Sequence, residues 1–154
     1  MNIPRKSITN ALLTLLRQVY AWKRSDKGVL IWSEVDPADQ PALFLVCPRD
    51  SADQNQALGL THWQRNYVAL AYLRRDAFGS LSCFNDALDD IEDGFDTVMQ
   101  TKFPDGSTKQ VGARQTLQLN PMLNACIDGQ ILCDPGLLDV QAVINVPIRV
   151  TLGV

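Results

Sequence analysis

Eight apolar residues fill the even positions near the end of the chain: Leu138, Val140, Ala142, Ile144, Val146, Ile148, Val150 and Leu152. A strict period of two predicts a long β-strand with one buried face. A helical period appears twice. Ile8, Leu12, Leu15, Leu16 and Val19 fall on one face of a helix over 7–22, with Ser7 as its N-cap. Leu81, Phe84, Leu88, Ile91, Phe95 and Val98 do the same over 80–100, where Gly94 costs about 1 kcal/mol relative to alanine.

Between the helices, "VLIW" (29–32) predicts a short strand, "EVDPADQP" is turn chemistry, and "ALFLVC" (42–47) predicts a strand buried on both faces. A polar loop follows, then "WQRNYVALAYLRR" (63–75) as a long strand. Residues 104–124 are polar, show no sustained period and predict a long loop. "ACIDGQILC" predicts a strand interrupted near Asp128-Gly129, and the turn "DPG" joins it to the closing strand as a C-terminal β-hairpin. The fold class is α+β: a mainly antiparallel sheet covered by two amphipathic helices.

The closing strand is unusual in length. Residues 138–152 would span roughly 50 Å at ~3.3 Å per residue, against a diameter of about 40 Å for a compact chain of this size. Pro147 cannot donate to a ladder, which assigns it to an edge, a bulge, or the point where the strand leaves its sheet. Two readings follow: a bent edge strand packed on its own core, or a segment that crosses to a neighbouring copy.

With 154 residues, 46% hydrophobic and 20% charged, the chain fits one globular domain over 1–154. A net charge of −3 gives no global support to nucleic-acid binding. No segment is long and apolar enough to span a membrane, and the N-terminus lacks the uninterrupted apolar core of a signal peptide. A soluble protein made in a cytoplasm is expected. Its four cysteines (Cys47, Cys83, Cys126, Cys133) then read as reduced, buried thiols, and their spacing fits no common zinc framework. His62 is the only histidine, and no serine or cysteine constellation or nucleotide motif accompanies it. No catalytic, metal or cofactor residue is therefore assigned.

Charge is distributed unevenly. Residues 1–27 hold Arg5, Lys6, Arg17, Lys23, Arg24 and Lys27 against Asp26 alone, while the second helix carries Asp86, Asp89, Asp90, Glu92, Asp93 and Asp96 without a basic residue. Opposite patches suit head-to-tail association. Solvated faces, or packing of the two helices on each other, explain the same residues.

Taken together, the N-terminal amphipathic helix, "VDPADQPALFLV" entering a buried strand, "RNYVALAYLRRD", the helix around "LSCFNDALDDIEDGF" and the hairpin "ACIDGQILCDPGLLDVQAVINVPIRVTL" resemble the tail terminator (tail completion) proteins of long-tailed bacteriophages and prophages. The resemblance covers nearly the whole chain, except that 104–124 cannot be matched residue by residue. It implies a structural virion protein, not an enzyme, made in the bacterial cytoplasm. The subunit would form a homo-oligomeric ring, a hexamer, at the head-tail junction. The ring would end growth of the tail tube and offer a joining surface to the head-side connector or stopper protein. DNA would pass nearby without specific binding, and no cofactor is required. The expected interface residues are Arg5, Lys6, Asp86, Asp89, Asp90, Asp93, Lys109, Arg114, Pro147 and Arg149. A head-tail joining (neck) protein of similar fold is the nearest alternative, followed by a tail tube subunit or a small α+β enzyme. Removal of residues 147–154 is expected to impair ring formation more than folding.

Overall fold

Period two in the closing stretch produces the strand it predicts, but places it inside the sheet. The computed structural model describes residues 3–28, 30–55, 60–74, 82–113, 115–120, 123–136 and 140–152. It is α+β, with helices α1 (Arg5–Val19) and α2 (Ser82–Phe95). The strands are β1 (Arg24–Lys27), β2 (Ala42–Asn55), β3 (Leu60–Arg74), β4 (Thr97–Lys102), β5 (Thr108–Ala113), β6 (Leu123–Ile127), β7 (Leu132–Asp134) and β8 (Gln141–Leu152). The main sheet runs β1-β2-β3-β8-β6, with β7 also on β8, and only the β1/β2 pair is parallel. Strands β4 and β5 form a separate two-stranded ribbon.

Strand β8 pairs with β3 from Gln141 to Leu152, and on its other side with β6 and β7. It is an interior strand, not an edge, and the described part does not leave its own sheet. Pro147 fits because the ladder breaks opposite it. Between β6 and β7 the chain departs at Asp128, whose amide donates to the Pro147 carbonyl at 2.9 Å. A residue's N–H and C=O point the same way in a strand, so the donor that proline lacks faces this break and not β3.

Helices α1 and α2 cover one face. Ile8, Leu12, Leu13 and Leu16 of α1 and Phe84, Ala87 and Ile91 of α2 share a core with Leu43, Leu45, Tyr67, Ala69 and the even residues of β8. The other face holds a smaller cluster of Val35, Ala42, Phe44 and Tyr72, against which Leu30 packs. Residues 42–45 are thus buried on both faces, as their unbroken apolar run predicts.

Several boundaries differ from expectation. Pro4, and not Ser7, precedes α1, and the amides of Ser7 and Ile8 donate to its carbonyl. "VLIW" is not a strand: Trp32–Glu34 is a 3-10 turn, and Val29 lies outside the described residues. The polar Arg24–Lys27 pairs instead, because an edge strand needs backbone partners more than apolar side chains. The presumed loop after Cys47 continues β2 to Asn55, past a register shift between Val46 and Arg49 that leaves Pro48 out of the ladder. Helix α2 stops at Phe95. Val98 falls in helical phase, yet Thr97, Val98 and Thr101 are β-branched and their segment finds a partner in β5.

That partner overturns the long loop at 104–124. A tight turn at Phe103–Ser107 closes the ribbon: Gly106 adopts φ 84°, and Asp105 accepts from the amide and hydroxyl of Ser107, which holds its carboxyl below the usual range. Gln115 then bridges to Ala125, so residues 115–120 dock beside β6.

Gly94 has a packing reason. A Cβ there would lie 2.6 Å from Cγ1 of Val19, where α2 crosses the end of α1. Gly94→Ala should therefore lose stability on denaturant titration: overpacking costs about 1–3 kcal/mol against a propensity gain of about 1. In a Val19→Ala background the same change should stabilise. The expectation for residues 147–154 also reverses. Removing them takes Ile148, Val150 and Leu152 out of the core, roughly 5–9 kcal/mol, comparable with a whole domain's stability. The truncated chain should show no cooperative unfolding transition by circular dichroism.

Candidate interaction site

Among the described residues three polar or charged side chains are buried: Gln40, Arg65 and Gln141, at 1%, 7% and 6% exposure. The two glutamines satisfy each other. Their amides exchange hydrogen bonds of 3.0 and 3.1 Å, and Gln141 Nε2 also lies 3.0 Å from the Ala142 carbonyl. This pair fastens the 37–40 turn to the start of β8.

Arg65 has no such arrangement. Its Nε and Nη1 are buried without a hydrogen-bond partner. It occupies the core-facing row of β3 with Tyr67, Ala69 and Ala71, opposite Asp50 on β2 and Val150 on β8. Asp50 is already engaged: Arg5, from the first turn of α1, forms an ion pair with its Oδ2, and the Cys47 thiol donates to its Oδ1 at 3.5 Å. Tyr67 is tied to α1 through Thr9, with the two hydroxyl oxygens 3.1 Å apart. Two residues beyond Arg65 on the same row, Trp63 is 44% exposed. Among the described side chains this end of the helix-covered face therefore holds two guanidinium groups against one carboxylate, beside an exposed indole. Burial raises the Cys47 thiol pKa, and the charge and hydrogen bonding of Asp50 raise it further, with Arg5 opposing. Burial likewise raises the Tyr67 phenol, against the Thr9 hydrogen bond.

The expected interface residues are dispersed. Arg5 belongs to this cluster, and Lys6 is exposed beside it on α1. Asp86, Asp89 and Asp93 are exposed on α2 and Asp90 is half-buried; among the described residues none of them takes part in an ion pair. Lys109, on β5, stands 5.3 Å from the Phe103 ring centroid. Arg149 pairs with Asp128 at 3.2 Å, at the break that accommodates Pro147. Arg114 lies outside the described residues, as does the His62 side chain. The basic N-terminal patch is largely tied down within the chain: Arg24 pairs with Asp39 and Asp26, Arg17 donates to Ser25, and Lys27 to Asn10. The thiols are not uniformly buried, since Cys133 is exposed and Cys47 and Cys126 are half-buried; Cys126 and Cys133 lie end to end along β8 instead of facing each other.

Arg65 escaped notice in the sequence although its signal is there. In "WQRNYVALAYLRR" it falls in phase with Tyr67, Ala69, Ala71 and Leu73, an arginine on the apolar row. Three surface hollows of about 380, 360 and 460 Å³ lie elsewhere, lined by such residues as Asn10 and Arg17, Gln18 and Gln115, and Glu92 and Cys126. They are shallow, unlike the enclosed apolar clefts that bury small ligands. Among the described residues no group of three or more His, Cys, Asp and Glu could hold a metal ion, and no helix is long and apolar enough to cross a membrane. No protein-family model and no curated protein matches the chain.

The Cys47 environment makes a testable statement. Because its pKa is raised, the thiolate needed for alkylation is scarcer at a given pH than for a free cysteine. Its iodoacetamide labelling profile, followed by mass spectrometry, should lie at higher pH than that of free cysteine. Asp50→Asn should move the profile back down, whereas burial as the sole cause would leave it in place.

Proposed function

We propose that the chain is a ring-forming structural subunit of the tail terminator type, which caps the head-proximal end of a bacteriophage tail tube and presents a joining surface to the head-side connector. The observation that carries this reading is the β4–β5 ribbon. Its strands pair with each other, no third strand joins them among the described residues, and Gln100, Lys102, Thr108 and Lys109 are exposed along it. An isolated two-stranded ribbon is marginally stable in water. Such an element gains its order from a second protein, which is what an assembly subunit supplies. The turn of the ribbon and β5 fall in the 104–124 segment that could not be matched to the terminator family, and the ribbon takes the role of arm toward a neighbouring subunit or the tube.

The uncompensated acids of α2 support the same reading. Asp86, Asp89 and Asp93 are spaced to form one stripe along the helix, where like charges three and four residues apart repel by a few tenths of a kcal/mol per pair. They cost the isolated subunit stability and suit a surface that meets positive charge in an assembly.

Light scattering over a concentration series, with negative-stain imaging, tests the proposal. The terminator reading expects a closed ring, or a monomer that forms rings only on added tail tubes. Tubes of unlimited length would instead identify a tube subunit, and a monomer without affinity for tubes would end the assembly reading. Deleting the ribbon tip, residues 103–107, should abolish assembly while leaving the unfolding midpoint of the subunit within a few degrees of the intact chain.

A further inference from the structure

The main sheet ends in β1 on one side and in β6 on the other, and each helix stands over one of these ends: α1 touches β1, and α2 touches β6. Each of these seams holds a hollow, and the two hollows differ in charge. The α1/β1 hollow, about 380 Å³, is lined by Asn10, Thr14, Arg17 and Lys27, together with Leu13 and Asp26. Its cations have neutral partners. Arg17 donates to the hydroxyl and carbonyl oxygens of Ser25 at 2.6 and 3.1 Å, and Lys27 donates to the Asn10 side chain. Asp26 is engaged by Arg24, 3.7 Å away. At the other seam a hollow of about 460 Å³ over the β6–β7 connection is bordered by Glu92 and Asp96, beside Phe95, Ile127 and Ile131. Glu92 lies in the last turn of α2 and Asp96 just past it, and no basic residue stands in that turn. The partial negative charge of the final helical carbonyls disfavours carboxylates there and favours cations. Arg17, Lys27, Glu92 and Asp96 are all exposed, and among the described residues none of them forms an ion pair.

We propose that copies of this chain join edge to edge, the α1/β1 seam of one against the α2/β6 seam of the next, with Arg17 and Lys27 facing Glu92 and Asp96. The occupant of the basic hollow is thus a second copy, selected by charge complementarity, which fixes orientation and register at protein contacts. The two seams are different surfaces at opposite ends of one sheet, so the contact is head-to-tail and repeats from copy to copy. Side chains make it, and not strand addition, because the outer side of β6 is already bridged at Ala125 by Gln115. This inference rests on the ring reading above and adds the contact that would hold the ring together.

The test reverses each seam in the full-length chain and reads self-association by light scattering. The acidic-seam variant carries Glu92→Lys and Asp96→Lys. It should resist denaturant at least as well as the wild type, since cations suit a helix C-terminus, while its association weakens by at least about a hundredfold, the effect of like charges set against each other. The basic-seam variant, Arg17→Glu with Lys27→Glu, should lose association to the same degree. An equimolar mixture of the two variants should assemble, with the chains alternating, and one chain carrying all four changes should assemble by itself. Should Arg17→Glu loosen the α1/β1 seam, Lys27→Glu with Glu92→Lys carries the same comparison. A wild type that assembles while the reversed chains assemble equally well would overturn the edge contact and leave the ring reading intact. Reversed chains that lose association, with neither the mixture nor the fourfold variant regaining it, would also refute the pairing of these two seams. A wild type that assembles neither alone nor on tail tubes would end both readings.

Discussion

Strand β8 is hydrogen-bonded along its full length to β3 and over most of it to β6 and β7, so its even side chains form the floor on which both helices pack. Both helices and the strands β3, β6 and β7 are placed against it. Gln141 at its start locks the 37–40 turn, and Leu152 at its end pairs with Leu123 and Trp63. An interior strand is a poor place for proline. Pro147 is tolerated because β6 and β7 part opposite it, where the Asp128 amide uses its carbonyl and Asp128 binds Arg149.

The helix layer has one close contact and one open end. At the close contact Gly94 lets α2 meet Val19 of α1, so a residue with poor helix propensity is kept for packing. At the open end, near the start of α1, the core-facing row of β3 passes from the buried Arg65 to the exposed Trp63. The core is thereby well satisfied in its middle and electrostatically incomplete at one margin.

Three features share a physical character: each is marginal in isolation. The ribbon is a two-stranded sheet apart from the main one, the like charges of the α2 stripe repel one another, and Nε and Nη1 of Arg65 have no hydrogen-bond partner. On the proposed reading a second protein relieves the first two. The three surface hollows among the described residues, by contrast, are shallow.

The periodic signals were legible in the residues alone. The α+β class, both helices, the long β3, the doubly buried Ala42–Leu45 and the C-terminal hairpin follow from spacing, because burial of one face imposes a period of two or 3.6 on the side chains. Strands without an apolar face were not legible. Arg24–Lys27, the far half of β2 and the β4–β5 ribbon form through backbone pairing, which depends on what lies alongside and leaves little trace in side-chain pattern. The same limit applies to the candidate site. The acids of α2 could be read off the helix, and Arg65 stood visibly in phase with an apolar row. That its guanidinium would be buried without a partner, beside an Asp50 already held by Arg5, was decided only when strands and helices distant in sequence came together.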